Sequence, residues 1–529
     1  MDVVLASHAV LDLAQQWLAD ERLAGSRLVL ITEGAATTGS GDVRPDPAGA
    51  AVWGLIRSAQ TEHPGRFVLV DTDGLPKSVD RLVAALASDE PQLAIRAGRM
   101  SVPALRPYRA VPDDDGRGNL FDRHSHVLIT GGLGTLGRLV ALHLVERYGV
   151  RRLLLTGRRG AATPGAGAFL DELAVLAPQV KVTVAACDIA DRAALAEVLA
   201  AVPEEHPLTG VVHAAGVLDD AVIERLDPDR LDQVLLPKAE AAVHLHDLTA
   251  NLNLSAFVMF SSLAGVLGSA GQANYAAANA VLDGIARLRH AEGLPALSIA
   301  WGLWADQSTM TDGLGETDRL RMARSGVAAM SAAEGLTLFD TAVTTGAPAL
   351  AAARLDLSAL DPGTAPALLR ALVPYAGPPM APASGRDATP ATSLRSRLNR
   401  APRHERGHLL LETVRAEVAA VLGHTGAEQV TTDRRFQDLG FDSLMAVELR
   451  NRLSVTAGVT LPPTLIFDHP TPDALANRLQ AELLPEATTP GDEGATDGDP
   501  VDGLPFGGGA LDTMNTDDLV RLALGDSKS

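Results

Sequence analysis

The sequence predicts an α/β protein: two successive doubly wound parallel-sheet units, the first degenerate, then a small helical bundle. Three observations predict it. Short continuous apolar runs alternate with helix-spaced stretches from Arg27 to Trp301, as strands buried on both faces of a parallel sheet require. One strand–helix junction in the second unit is dense in glycine. Beyond a stretch rich in Pro, Ala, Gly, Ser and Arg, only helical spacing remains.

In the first unit Arg27–Thr32 and Phe67–Asp71 read as strands and Ala50–Gln60 as a helix. Residues 101–122 carry Pro, Asp, Gly and Arg and read as a connector. The alternation restarts at His126–Thr130 and continues through Arg152–Thr156, Val180–Ala185, Gly210–His213, Ala256–Ser261 and Ala296–Trp301. Two such units suggest an internal duplication in which only the second keeps a glycine fingerprint. In the bundle, Leu410, Val414, Val418 and Val421 recur at helical spacing, and Leu444–Leu453 does the same. Thr471-Pro472 reads as an N-cap with proline at the first helical position.

A chain of 529 residues spans roughly three to four domains. Apolar residues make up 46% and charged ones 21%, enough for a large core. A net charge of −20 argues against a nucleic-acid binder, which needs a basic face. It leaves room for an acidic carrier surface that docks on basic partners. Cys187 is the one cysteine, so an internal disulfide and a cysteine metal cluster are excluded, and no metal site is expected. A membrane span and a secretory signal are not evident, so a cytoplasmic protein is expected.

Thr130-Gly131-Gly132-Leu133-Gly134-Thr135-Leu136-Gly137 follows a strand and opens a helix. Gly131, Gly134 and Gly137 permit a tight turn and close backbone approach to a pyrophosphate at the helix N-terminus. The next strand ends in Arg158-Arg159, where an NAD site would place a carboxylate; two guanidiniums suit a 2′-phosphate and favour NADPH. Cys187-Asp188 ends the third strand, where Asp188 could bond adenine or cap a helix. His213-Ala214-Ala215-Gly216 ends the fourth, with small residues against which ribose and nicotinamide could pack.

Tyr275 has Ser262 thirteen residues before it at a strand end, Asn279 four residues after it on one helix face, and Lys238 thirty-seven before. Together they form a proton-transfer set. A phenol of pKa about 10 needs a neighbouring ammonium to give its proton readily, and a Ser hydroxyl polarises a carbonyl.

Residues 126–372 resemble the catalytic part of a ketoreductase of modular type I polyketide synthases, within the short-chain dehydrogenase/reductase superfamily. Residues 1–110 resemble its Rossmann-like structural subdomain, a cofactor-free copy. The resemblance implies Tyr275 as proton donor to the β-oxygen, Ser262 bonding that oxygen, Lys238 binding ribose and lowering the Tyr275 pKa, and Asn279 completing a relay. Leu218-Asp219-Asp220 matches the motif of B-type reductases, which set a D-configured, usually 3R, β-hydroxyl. Leu267 stands where A-type domains have Trp, and Ala270 and Ala278 stand where epimerising ones have Pro. Reduction without α-epimerisation is thus implied. Members usually carry more elements before the segment equivalent to Val10. The chain therefore reads as a fragment of a larger polypeptide, with a truncated first subdomain, or the likeness is misaligned over the first 25 residues.

Leu439–Arg450 (LGFDSLMAVELR), followed by Leu465–Pro472, resembles the acyl-carrier signature. It implies 4′-phosphopantetheine on Ser443, attached by a phosphopantetheinyl transferase. The tail from Ala510 resembles a docking helix toward the next synthase polypeptide, with Asp512, Asp517 and Asp518 for basic partners and Leu519, Val520 and Leu522 for apolar contact. The expected layout is a structural subdomain at 1–110, a catalytic subdomain at 111–372, a linker at 373–403 and a carrier at 404–483. A disordered linker at 484–509 and a docking segment at 510–529 follow. The implied activity is NADPH-dependent reduction of a β-ketoacyl thioester on the chain's own carrier, fed by upstream ketosynthase and acyltransferase domains. Two rivals stay open: a carrier scaffold with a silent reductase, and a free-standing reductase of small ketones.

Overall fold

The computed structural model describes residues 2–39, 43–108, 120–305, 326–360, 366–373, 394–424, 426–462 and 464–484. The expected disordered stretch and docking tail therefore lie outside the described residues, apart from position 484.

Helix Val3–Ala19 opens the first unit, its N-terminus capped by the Asp2 carboxylate on the Leu5 N–H. Its four-stranded sheet runs β1 (Leu28–Glu33), β2 (Phe67–Thr72), β3 (Gln92–Arg96), β4 (Arg99–Ser101), with β4 alone antiparallel. Both the opening helix and the β3–β4 hairpin go beyond the elements expected from sequence. A cavity of about 400 Å³ lies beside the strand ends, lined by Ala35, Ala36, Trp53 and Ala94 among others. The buried Asp71 carboxylate accepts from Thr32 Oγ1 at 2.6 Å and the Ala35 N–H at 2.9 Å, and pairs with Arg96. Arg96 also donates to the Ala36 carbonyl at 2.6 Å. Polar side chains thus tie the ends of β1, β2 and β3 together beside that cavity.

The second unit is a seven-stranded parallel sheet, ordered β12 (Ala349–Ala352), β10 (Leu297–Trp301), β9 (Ala256–Ser262), β8 (Gly210–His213), β5 (His126–Thr130), β6 (Arg152–Gly157), β7 (Lys181–Ala186). A two-residue antiparallel pair, β11 (Val327–Ala328) with β13 (Arg354–Leu355), lies beside it. β5, β8 and β10 are buried throughout, as their apolar runs require. The strand order reverses between β5 and β8, and ligands bind at such switch points. β12 and helix Ala332–Val343 extend the sheet beyond the predicted strands. The alanine-rich ALAA run of β12 lacks the β-branched residues that mark a strand.

The two units are joined by helix Pro47–Glu62 lying against helix Ala273–Ala291. A Cβ on Gly54 would fall 2.4 Å from the Ala276 carbonyl oxygen, so the helices meet backbone to backbone. The Ala276–Ala278 run supplies matching small residues.

The helical unit comprises Arg403–Leu422, Ser443–Ala457, Leu465–Asp468 and Pro472–Leu483. Leu410, Val414, Val418 and Val421 are all fully buried, as their spacing predicts. Thr471 Oγ1 accepts from the Ala474 N–H at 3.2 Å, the expected cap. Of the linker expected at 373–403, residues 374–393 lie outside the described residues. Residues Leu394–Arg400 form a helix, because Leu394 and Leu398, one turn apart, bury one face among polar neighbours that hid the pattern. Among the described residues, no helix is long and apolar enough to cross a membrane.

Candidate active site

The glycine turn forms where the sequence places it. Gly131 adopts φ +66°, and its carbonyl accepts from the Gly134 N–H at 2.9 Å. A Cβ on Gly137 would lie 2.2 Å from the Gly131 oxygen, so a side chain there opens the turn. Helix Thr135–Tyr148 begins at Gly134 without a side-chain cap, leaving its first N–H groups toward the crevice. Leu133 is buried beneath the turn, while Leu136 lines a neighbouring cavity.

Arg158 and Arg159 are exposed at the end of β6, and neither makes an ion pair among the described residues. Cys187 is buried, and burial raises its thiol pKa. Asp188 holds the Ala190 N–H at 3.1 Å, a turn cap that leaves the side chain exposed. A Cβ on Gly131 would come within 2.9 Å of Ala215, so Ala214–Gly216 passes directly under the turn.

At the switch point three elements are tied together. Thr130 Oγ1 bonds His213 Nδ1 at 2.7 Å, and His213 Nε2 meets the Lys238 carbonyl at 2.8 Å. Burial and the Lys238 ammonium hold the His213 pKa down at about 3, so the ring stays neutral. Lys238 sits in a π-helical turn, Leu236–Glu240. Its Nζ donates to the Phe260 carbonyl at 3.0 Å and stands 5.5 Å from the Tyr275 ring centre. Burial brings its pKa down to about 8.

Ser262 ends β9 and caps the short helix Leu263–Leu267. Asn279 Nδ2 donates to the Tyr275 carbonyl at 2.7 Å, fixing the amide on the Tyr275 helix. Burial raises the Tyr275 phenol, and hydrogen bonds with Ser262 and Asn279 pull it back. Lys238, expected to lower the phenol, stands beside its ring while its ammonium also donates to the Phe260 carbonyl. Ser262, Tyr275, Lys238, Ala214 and Leu218 all line one cavity of about 520 Å³.

Two positioning residues escape sequence reasoning. Asn274, fully buried, donates from Nδ2 to the Asp219 carbonyl at 2.8 Å, and its Oδ1 accepts from the Tyr275 N–H. Gln272 donates to the Asp220 carboxylate at 2.9 Å. Together they pin the Leu218–Asp220 loop to the start of the Tyr275 helix. The Gln-Ala-Asn run before Tyr275 was the available signal. Asp219 also pairs with Arg230 at 3.7 Å.

A dinucleotide fits this crevice on three counts: the side-chain-free turn, the uncapped helix start, and the paired guanidiniums beyond β6. Asn279 is fully buried behind the cavity lining, and its Oδ1 has no hydrogen-bond partner among the described residues. In the helical unit, Ser443 begins its helix, and Asp442 accepts from the Met445 N–H at 2.7 Å. The serine is half-buried, open to modification.

A parallel sheet carrying this turn beside a Tyr–Lys–Ser cavity is the architecture of a nicotinamide-dependent reductase. Family models match in three segments: a KR domain at 125–306, the Rossmann fold domain of polyketide synthase extender module SpnB at 2–105, and a phosphopantetheine attachment site at 412–479. The spectinabilin polyketide synthase system protein NorA' of Streptomyces orinoci is 53% identical over 486 residues, 91% of this chain and 13% of that protein. The mycoketide-CoA synthase of Mycobacterium tuberculosis is 52% identical over 359 residues, 68% of this chain and 9% of that protein. The chain thus spans a small part of the curated relatives it matches. A solved A1-type ketoreductase superposes with TM-score 0.62 at 42% identity, covering 68% of this chain and 75% of that one. The chain belongs to the ketoreductase family of modular polyketide synthases and carries a phosphopantetheine-binding carrier domain. Its class is that of oxidoreductases acting on β-ketoacyl groups, with NADPH as cofactor and 4′-phosphopantetheine on the carrier.

Proposed function

We propose that this chain reduces the β-carbonyl of a ketoacyl thioester borne on its own Ser443, giving a D-configured, usually 3R, β-hydroxyacyl thioester without α-epimerisation. The observation that carries the reading is the convergence of Ser262, Tyr275 and Lys238 on one cavity beside the glycine turn.

The turn at Gly131–Gly137 would hold the pyrophosphate, and Arg158 and Arg159 the 2′-phosphate of NADPH. When bound, NADPH supplies hydride chemistry to the site. Ser262 orients the carbonyl oxygen by hydrogen bonding. Tyr275 remains protonated at neutral pH and gives its phenolic proton to that oxygen as negative charge develops there. The Lys238 ammonium offsets the phenolate left behind, and Asn279 holds the relay to replace the proton. The apolar wall, with Leu139, Leu142 and Trp301, excludes water from the reacting carbonyl.

The stereochemical reading rests on local residues. Leu218 and Leu267 line the cavity, and Asp219 and Asp220 are tied to Asn274 and Gln272. Two similar solved structures are A-type ketoreductases by their descriptions, so overall likeness and these local residues point to different types. NADPH oxidation with a racemic 2-methyl-3-ketoacyl thioester, followed by chiral separation, tests the reading. A single 3R product supports it; a 3S product keeps the reductase and overturns the type. The chain's place beside ketosynthase and acyltransferase domains, a downstream polypeptide and a phosphopantetheinyl transferase, in the cytoplasm, belongs to the same proposal.

A further inference from the structure

The carrier's helix Ser443–Ala457 touches the reductase at a small set of specific contacts. Arg225 Nη1 donates to Ser443 Oγ at 2.9 Å, and its guanidinium lies 5.5 Å from the Phe467 ring centre of the carrier. Arg450, only 4% exposed, donates to the Glu62 carbonyl. Asn451 Nδ2 donates to the Thr61 and Glu62 carbonyls at 3.1 and 3.2 Å, and its Oδ1 accepts from Arg450. The Leu444 side chain faces Gly271, where a Cβ would meet it at 3.2 Å.

Glu62 is the centre of this arrangement. Its carboxylate accepts from the Ile223 N–H at 2.7 Å and the Gly271 N–H at 2.8 Å. Ile223 lies two residues before Arg225, and Gly271 adjoins the cavity-lining Gln272. The residue gripped by the carrier therefore also fixes both strands of the cavity rim. Along that rim, Leu218 lines the cavity, Ala221 bridges to Gln272, and Arg225 reaches Ser443.

We propose that Arg450 and Asn451 latch the carrier onto the end of helix Pro47–Glu62, and that Arg225 holds the phosphate of the arm on Ser443. The arm then approaches the cavity along residues 218–225, past Leu218. The chemistry favours this. Ser443 Oγ is the atom that carries the phosphodiester, and a guanidinium fork pairs with phosphate oxygens through charge-assisted bonds. The negative charges of Glu224 and Glu62 offset part of the cost of burying the Arg450 guanidinium on docking. The inference rests on the reading of Ser443 as the attachment residue.

The test uses the full chain in its holo form and has a readout independent of catalysis. Phosphorus NMR of the phosphodiester is compared among the parent protein, Arg225→Ala, Arg225→Lys and Asn451→Ala. Arg225 is exposed, so its replacement leaves the fold intact. Arg225→Ala is expected to shift the resonance, Arg225→Lys to restore part of that shift, and Asn451→Ala to sharpen the line as the carrier is released. Identical spectra throughout would overturn the latch. In parallel, single-turnover reduction of a Ser443-borne ketoacyl group should slow about tenfold in Arg225→Ala and Asn451→Ala. Reduction of a free pantetheine thioester by Asn451→Ala should stay within about twofold, since that substrate needs no carrier docking. Equal slowing of both substrates would contradict the latch. Failure of the parent protein to reduce either one would contradict the reductase reading, while the phosphorus spectra would still decide the latch.

Discussion

At the residue scale, the phenol and the ammonium lie side by side in one buried site. Tyr275 keeps its proton because burial outweighs the bonds from Ser262 and Asn279. Lys238 is a desolvated ammonium held by a carbonyl. Tyr275→Phe should leave the fold unchanged and lower the reduction rate by about 10²-fold or more, as measured by NADPH oxidation. Lys238 titrates in the folded protein near 8, against 10.5 for the free side chain. Its charged form is the working one, so the rate should fall on the alkaline side with a midpoint near 8. A profile flat to pH 10 would show that the ammonium is not needed. Linkage runs the other way for stability: the unfolded chain holds that proton more tightly, so this group's contribution rises between pH 8 and 10.5. Arg158→Ala with Arg159→Ala should raise KM for NADPH well above its effect on KM for NADH, because only the former has a 2′-phosphate to lose.

At the scale of elements, the glycine turn, the strands flanking it and the buried stripe of the first carrier helix were legible in the sequence. Each is set by local pattern: glycine where backbone must approach backbone, apolar runs between turns, apolar residues at helical spacing. Gln272 and Asn274 were not legible as positioning residues, since their partners Asp219 and Asp220 lie more than fifty residues away and meet them only through the fold. Helix Leu394–Arg400 was hidden for a related reason, because a two-leucine face gives too weak a period. The Gly54 contact shows how tertiary packing uses small residues. Gly54→Leu would drive a side chain into the Ala276 backbone and force apart the helices that join the two units. The expected cost is about 3 kcal/mol or more, read as a lowered denaturant midpoint. Gly137→Val should weaken NADPH binding, measured by fluorescence titration, because the turn cannot close around it.

At the scale of the whole molecule, the degenerate first unit serves as a support. The Asp71–Arg96 network ties its strand ends together, while its helix Pro47–Glu62 braces the Tyr275 helix. The end of the same helix meets the carrier. Fold, glycine turn and carrier signature could be read from sequence, but this junction could not, because it joins residues nearly four hundred positions apart. The central claim is that this reductase acts on the acyl group carried by Ser443. The most direct measurement loads a β-ketoacyl arm on Ser443 of the full chain and follows a single turnover with NADPH, with Tyr275→Phe as control. The account predicts one NADPH oxidised per loaded arm, a β-hydroxyacyl product of 3R configuration, and a silent control. Well-folded, fully loaded protein that oxidises no NADPH would contradict it.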